Sequence, residues 1–173
     1  ALESVTIPAG AMSIGNSAFY NCSALKNVII PESVTSIGTS AFYGCTAIEN
    51  VALPTSAIDS LPKSNLKTVV ITSGDSIENF TFRGCLTLES ISIPDSVTSI
   101  GDYAFASCTA LKAIYYGGTE SAWANMNIDL FGNTALTEAT RYYYSETQPT
   151  EDGNFWHYGT DGVTPVVWTK ETV

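Results

Sequence analysis

A short apolar motif, Leu-x-x-Val-x-Ile or a close variant, recurs six times along the chain. It begins at Leu2, Leu25, Ile48, Leu66, Leu88 and Leu111. The last two apolar positions of each motif are two residues apart, which is the period of a β-strand with one buried face. Four of the motifs are followed directly by a proline, which has no N–H and therefore ends the strand. The pattern predicts one short strand per repeat.

The motif lies within a longer unit that is copied almost unchanged. Residues 7–25 read IPAGAMSIGNSAFYNCSAL, residues 30–48 read IPESVTSIGTSAFYGCTAI and residues 93–111 read IPDSVTSIGDYAFASCTAL. Repeats of this kind are typical of solenoids, whose coils stack to share one core. The third repeat, residues 48–65, has 18 residues and lacks the Phe and Cys of its neighbours. We expect this coil to close without a helix, and therefore either to be shallower than its neighbours or to bend the array.

The segment after each Ser-Ile-Gly is predicted to form one turn of helix. Asn16, Thr39 and Asp102 follow the glycine, and all three are good N-cap residue types. A phenylalanine and a cysteine then stand three residues apart, which places both on one helical face. This face should pack inward, with the cysteines as a structural ladder: Cys22, Cys45, Cys85 and Cys108.

The repeat pattern dissolves after residue 116, so we divide the chain into a repeat array over residues 1–116 and a C-terminal capping segment over residues 117–173. Thr119 is the predicted cap of a short amphipathic helix that contains Trp123. Residues 139–144 read as a strand. The turn-rich residues 149–154 are predicted to separate two hairpin-like strands.

The repeated unit resembles that of the BspA-like (Treponema pallidum type) leucine-rich repeat proteins, which runs approximately LxxIxIPxSVTSIGxxAFxxCxxL. The last part of the chain looks like the ends of such arrays in gut Firmicutes. The resemblance implies an α/β fold, a right-handed leucine-rich-repeat solenoid with a concave parallel β-sheet, short convex turns or helices and a C-terminal cap. It also implies a secreted or cell-surface bacterial protein that adheres to host or partner proteins.

Charge and hydropathy narrow the classes of partner. Seventeen acidic and seven basic residues give a formal charge of −10, which opposes binding to nucleic acid or to anionic lipid. No apolar run is long enough to cross a membrane, and no signal peptide is recognisable. Ala1 and Leu2 match the end of one repeat and the start of the next, so we expect a fragment whose signal and anchor lie outside it.

The cysteines allow two interpretations. Equivalent positions of stacked coils are about 4.8 Å apart, so a disulfide between Cys22 and Cys45 or between Cys85 and Cys108 is geometrically possible. Buried thiols that act as small apolar residues are the favoured alternative. One cysteine per repeat does not provide the converging ligands of a metal site, and the sequence predicts no metal and no cofactor.

Outward strand positions are the candidate binding residues. A row of alternating charge, predicted to be structural, contains Glu3, Lys26, Glu49, Lys67, Glu89 and Lys112. A row of small or apolar residues, with aromatic residues of the cap, forms the candidate contact patch for a protein or a glycan. It comprises Ile29, Ala52, Val70, Ser92, Tyr115, Trp156 and Tyr158.

Catalysis has little support in the sequence. His157 is the single histidine, and there is no serine elbow, metal motif or phosphate-binding loop around which a site could form. We therefore expect a non-enzymatic binding module. The alternatives are a carbohydrate-binding module that uses the cap aromatics and a structural spacer within a larger surface protein.

Overall fold

The computed structural model describes residues 1–129 and 131–169. Short strands, joined by turns, dominate these residues. The strands are β1 (Ser4–Thr6), β2 (Ser13–Ile14), β3 (Asn27–Ile29), β4 (Ser36–Ile37), β5 (Asn50–Leu53), β6 (Thr68–Ile71), β7 (Ser76–Ile77), β8 (Ser90–Ile93), β9 (Ser99–Ile100), β10 (Ala113–Tyr116), β11 (Asn127–Ile128), β12 (Thr140–Tyr144), β13 (Phe155–Tyr158) and β14 (Pro165–Val167). The helices are a 3₁₀ helix (Thr55–Ser60), α1 (Glu120–Ala124) and α2 (Thr134–Glu138).

One strand from every coil joins a nine-stranded sheet, called the long sheet below. Its order is β1-β3-β5-β6-β8-β10-β12-β13-β14, and its pairs are parallel except for β13 with β14. Equivalent repeat positions stand in register, as in the pairing of Val5 with Val28 and of Val28 with Val51. The six predicted strands and the parallel leucine-rich-repeat fold are confirmed.

A second set of strands, not predicted from the sequence, comes from the Ser-Ile pair of each Val-Thr-Ser-Ile-Gly segment or its equivalent. These two-residue strands form a pair, β2 with β4, and a three-stranded sheet in the order β11-β9-β7. In β9, Ile100 is buried while Ser99 is partly exposed. A two-residue strand is too short to show a period in the sequence, so only the stacking of coils reveals it.

The one-turn helices predicted after the glycines are wrong. Residues 16–21, 39–44, 79–84 and 102–107 form turns, and the second residue of each turn has positive φ: Ser17, Ser40, Phe80 and Tyr103. The predicted cap Asn16 faces the next coil instead of its own, because its side chain accepts the N–H of Thr39 at 2.9 Å. Asn79 accepts the N–H of Asp102 in the same way, also at 2.9 Å.

The short third coil does contain a helix, contrary to expectation. Residues Thr55–Ser60 form a 3₁₀ helix that buries Ala57 and Ile58. Since this coil has no phenylalanine and cysteine to cover its section of the core, these residues and Leu61 cover it.

The core is a continuous column of the repeated apolar residues. Phe42, Phe82 and Phe105 are almost completely buried, and the rings stack between coils, with 5.0 Å between the centroids of Phe19 and Phe42 and 5.1 Å between those of Phe82 and Phe105. The inward direction predicted for this row is confirmed.

Beyond residue 116 the long sheet continues without a break. The Thr119 side chain accepts the N–H of Ala122 and caps α1, and β12 forms as predicted. The hairpin predicted across residues 149–154 is wrong, because β12 and β13 are parallel and the antiparallel pair is β13 with β14. Arg141, in register with Ile114, places its guanidinium 5.8 Å from the Trp123 ring centroid. The capping role of this segment stays a prediction.

Candidate functional site

The outer face of the long sheet carries the predicted contact row, and its residues differ widely in exposure. Strand register places Ile29 beside Ala52, then Val70, Ser92 and Tyr115 in line. Ile29 is 39% exposed, and Tyr115 is partly exposed. Ala52, Val70 and Ser92 are buried, since short side chains between hydrogen-bonded strands present little surface. These three residues therefore form a flat floor, and the side chains available to a partner stand at its two ends.

The charged row beside this floor contains an ion pair between neighbouring coils, and its structural role stays a prediction. Lys67 Nζ and Glu49 Oε2 are 3.1 Å apart, with both side chains partly exposed. Among the described residues this is the neighbouring pair of the row that forms an ion pair. An exposed pair of this kind contributes about 0–1 kcal/mol, so the row has little effect on stability.

A cluster of aromatic residues covers the C-terminal end of the outer face. We call it the tyrosine cluster: Tyr115, Tyr142, Tyr144, Trp156 and Tyr158. The Tyr115 and Tyr142 rings are stacked with 5.2 Å between centroids, and Tyr158 meets Trp156 edge-on at 4.8 Å. Tyr158 is 40% exposed. The cluster thus presents partly exposed tyrosines on a rigid base.

Trp156 is that base and not a contact residue. It is 0% exposed, and its Nε1 donates to the carbonyl oxygen of Tyr116 at 2.8 Å. The prediction of Trp156 as a partner-binding residue is therefore corrected, because a side chain with no exposed surface cannot touch a ligand without rearrangement. Its indole holds Tyr115, Tyr144 and Tyr158 in place through ring contacts of 4.8–5.8 Å.

Two phenols of the cluster, those of Tyr115 and Tyr158, have a raised pKa and stay neutral at physiological pH. Burial, reinforced by Tyr142, raises the pKa of Tyr115. Burial also raises the pKa of Tyr158, with smaller contributions from Tyr144 and Asp95. A neutral phenol both donates and accepts hydrogen bonds, so the cluster combines apolar rings with polar rims.

A cavity of about 480 Å³ lies next to the cluster, between the start of α1 and residues 151–154. Its walls include the aromatic residues Tyr143, Tyr144 and Phe155. Polar groups that line it include the carboxylates of Glu120 and Glu151 and the amide of Asn154. The volume is within the range of small-molecule sites.

The thiols are not joined in disulfides, and those of Cys45, Cys85 and Cys108 are buried. All four cysteines are free, and the Cys45 thiol donates to the Phe19 carbonyl at 3.0 Å while that of Cys108 donates to Phe82 at 3.1 Å. Burial raises the pKa of Cys45 and Cys85, and it raises that of Cys108 to about 12. The disulfides left open by the sequence are not formed here, and the thiols act as small core groups.

His157 takes part in packing within the last strands. Its ring centroid is 4.0 Å from that of Trp168, and its Nδ1 lies 2.8 Å from the Tyr158 carbonyl oxygen. Within residues 1–129 and 131–169, no cluster of three or more His, Cys, Asp or Glu side chains could hold a metal ion. In the same residues no helix is long and apolar enough to cross a bilayer.

Exposed aromatic pairs on the turn side were missed by the sequence reasoning. Tyr20 stacks on Tyr43 at 5.3 Å, and Phe80 stacks on Tyr103 at 5.6 Å. All four residues are exposed. Their equal positions within successive repeats could have indicated stacking, but not exposure.

Six copies of the BspA-type leucine-rich repeat region match residues 1–67 and 61–144. The chain belongs to the BspA-type leucine-rich repeat family. Among solved structures, this family member is similar to a leucine-rich cell surface protein of Faecalibacterium prausnitzii, with 38% identity, 73% of this chain and 35% of that chain covered, and a TM-score of 0.52.

Other solved structures resemble this BspA-type chain more distantly. A leucine-rich repeat protein of Bacteroides ovatus is 22% identical over 82% of this chain and 42% of its own, with a TM-score of 0.47. The leucine-rich repeat protein of T. pallidum is 24% identical over 83% of this chain and 59% of its own, with a TM-score of 0.39. No curated protein matches the chain significantly. The chain spans about a third of the length of the F. prausnitzii protein.

Proposed function

We propose that the chain is a non-enzymatic module of a bacterial cell-surface or secreted protein, and that it binds a host or partner protein through the outer face of its long sheet. The tyrosine cluster is the observation that carries this proposal. Tyrosine is enriched among the residues that dominate protein interfaces, and here Tyr115 and Tyr158 stand partly exposed on the buried Trp156. Ile29, at the other end of the flat floor, supplies a second apolar contact.

A binding screen tests the proposal. The chain is immobilised and exposed to purified extracellular-matrix and cell-surface proteins of the host, and affinities are measured for each positive partner. Tyr115→Ala and Tyr158→Ala should each weaken binding by about tenfold or more, as expected of interface anchors. Tyr20→Ala, which removes an exposed ring from the turn side, is the matched control. An empty screen, or equal affinities for all three variants, would contradict the proposal.

Carbohydrate recognition is the second candidate function, and the cavity beside the cluster favours it. Tyr143, Tyr144 and Phe155 provide ring surfaces, while Glu120 and Asn154 provide hydrogen-bonding groups in the same cavity. On a glycan array, a positive signal should be lost in Tyr144→Ala and kept in Tyr20→Ala. Trp156→Ala is a poor test, because removal of a fully buried indole disturbs the whole cluster.

A structural spacer is the remaining alternative. It predicts no specific partner and no effect of any outer-face substitution on function. Retained surface adhesion of cells that carry the full-length protein with Tyr115→Ala and Tyr158→Ala combined would favour it.

A further inference from the structure

The turns on the convex side are joined by a ladder of backbone hydrogen bonds, which we call the turn ladder. Every second residue of a turn donates its N–H to a carbonyl of the next turn. In the first pair, the donors Ser17, Phe19 and Asn21 reach Thr39, Ala41 and Tyr43 at 3.0, 2.8 and 2.7 Å. In a later pair, the donors Phe80, Phe82 and Gly84 reach Asp102, Ala104 and Ala106 at 3.0, 2.7 and 2.8 Å.

The ladder is interrupted at the third coil, which has a 3₁₀ helix in place of the turn. The equivalent donors of the second turn are the N–H groups of Ser40, Phe42 and Gly44. Among the described residues, none of these three N–H groups has a hydrogen-bond acceptor. Three donors at alternate residues therefore face the interruption together.

The Phe42 N–H is the most significant of these groups, because Phe42 is only 1% exposed. Buried backbone donors are almost always paired in folded proteins. The equivalent N–H groups of Phe19, Phe82 and Phe105 all find acceptors at 2.7–2.8 Å. The fold thus satisfies this donor in the other turns and leaves it available at the third coil.

A groove of about 500 Å³ lies along the edge of the second turn that carries these three N–H groups. It is lined by Ser40, Phe42, Tyr43, Gly44, Thr46, Ser60 and Pro62. Residues of the second turn form one wall of this groove, and Ser60 and Pro62 of the third coil form the other. A peptide segment in the groove would meet the exposed ring of Tyr43 and Pro62, which offer apolar contacts to its side chains.

On the other side of the interruption, a side chain of the third coil already bonds a backbone carbonyl of the following turn. There the Thr81 carbonyl, which a turn of the third coil would have bonded, accepts from Lys63 Nζ at 2.6 Å. Lys63 also pairs with Asp59 at 2.5 Å. The Thr81 carbonyl already has a donor, whereas the N–H groups of Ser40, Phe42 and Gly44 have no acceptor among the described residues. The groove therefore favours a ligand that presents acceptors.

We propose that this groove binds a segment of a partner protein that folds as one further turn and adds the missing rung to the turn ladder. Carbonyl oxygens at alternate residues of the segment accept the N–H groups of Ser40, Phe42 and Gly44, as the carbonyls of Thr39, Ala41 and Tyr43 accept those of the first turn. The formal charge of −10 favours a neutral or basic segment over an acidic one. This site is separate from the outer face of the long sheet and does not depend on it.

The chain supplies its own probe, since its turns bind one another in the required register. A synthetic peptide with the sequence of residues 38–46 and Cys45→Ser, acetylated and amidated, is added to the ¹⁵N-labelled 173-residue chain. In the free chain, the Phe42 amide should exchange with solvent much faster than the Phe19 amide. At ten times Kd, the peptide should slow Phe42 exchange about tenfold and leave that of Phe82 unchanged.

Matched variants separate this groove from other surfaces. Ser60→Trp fills the groove and should abolish peptide binding, as should Thr46→Trp from the other wall. Ser64→Trp, an exposed position in the same coil outside the groove, should bind like the unaltered chain. Tyr115→Ala should also bind normally, so that failure of this proposal and failure of outer-face binding are distinguishable.

Four outcomes would overturn the proposal. They are a Phe42 amide as protected in the free chain as that of Phe19, no effect of the peptide, binding that survives both Ser60→Trp and Thr46→Trp, and binding of the peptide elsewhere on the chain. Protection of Phe42 that rises with protein concentration alone would assign the groove to a second copy of the chain.

Discussion

The turn ladder is interrupted at the third coil and ends on its C-terminal side. Among the residues that the structure describes, the phenylalanine N–H finds a new acceptor only on the C-terminal side. At its C-terminal end, the Phe105 N–H donates to Asn133 Oδ1 at 2.8 Å. Asn133 is buried and donates in turn to the carbonyls of Gly101 and Asp129 at 2.8 and 2.6 Å. At the third coil, the equivalent N–H of Phe42 has no acceptor among the described residues.

The difference shows that one side chain can replace the hydrogen bonds of a missing turn. Asn133 supplies an acceptor at one place, and Lys63 supplies a donor to Thr81 at the other. Where neither exists, as at Phe42, the backbone remains able to bond an external group. We therefore distinguish a closed end of the ladder, where a side chain bonds the phenylalanine N–H, from an open one, where that N–H has no acceptor among the described residues.

The largest expected effect is the same at both places, because it concerns the rings and not the backbone. Phe42→Ala and Phe105→Ala should each lower the free energy of unfolding by about 3–5 kcal/mol, since both rings are almost fully buried in the core. Urea denaturation measures both. A loss below about 1 kcal/mol at Phe42 would mean that the open edge has a loosely packed core, and the comparison would fail.

Asn133→Ala should have the next largest effect. It leaves the Phe105 N–H and the Gly101 carbonyl without the Asn133 bonds, and the unfolding free energy should fall by about 1–3 kcal/mol for each buried group left unpaired. Asn79→Ala, which removes an exposed bond to the Asp102 N–H, is the control and should cost about 0.5–1.5 kcal/mol. Equal losses in the two variants would show that the closed end is not special.

Lys63→Met should be milder, because the side chain is partly exposed. It keeps most of the aliphatic stem but removes the donor to Thr81, and we expect a loss of about 1 kcal/mol in thermal or urea unfolding. Lys26→Met, at an exposed position of the charged row, should change stability by less than about 0.5 kcal/mol. If Lys63→Met and Lys26→Met were equally stable, the bond from Lys63 to the Thr81 carbonyl would contribute nothing. The two sides of the interruption would then not differ.

The smallest expected effect is on the reactivity of the Cys108 thiol, which lies next to the turn ladder. With its pKa raised to about 12, Cys108 is ionised to roughly one part in ten thousand at pH 8. Iodoacetamide labelling followed by mass spectrometry should therefore be far slower at Cys108 than at the partly exposed Cys22. The labelling rate at Cys108 should rise about tenfold per pH unit, since only the thiolate reacts.

The raised pKa of Cys108 also makes the stability of the fold depend on pH. The folded pKa of Cys108 lies above the ordinary value of 9.0, so its contribution to stability is full below about pH 9 and is lost as the pH rises toward 12. Cys108→Ala should reduce the alkaline loss of stability but not abolish it, because the raised pKa values of Cys45 and Cys85 act in the same direction. Rapid labelling of Cys108 at pH 8 in the folded chain would contradict both expectations.

Much of the fold was predictable from particular residues. The register of Val5 with Val28 and Val51 follows from motifs that repeat every 23 residues, and the inward row of phenylalanines follows from their fixed place in the repeat. The Thr119 cap was also predictable, because capping depends on residues only a few positions apart. The candidate site was predicted less well: Trp156 is buried, and exposure depends on neighbours that are distant in sequence.

The sequence by itself determined the period, the six strands of the repeated motif and the identity of the core, because each depends on apolar spacing within one repeat. Only the tertiary structure decided that the convex segments are turns, that Asn16 and Asn79 bond the next coil, and that the N–H of Phe42 is left open. These features arise between coils, where a group's partner is set by what the adjacent coil presents. A shortened coil changes that partner without changing any residue of the turn itself.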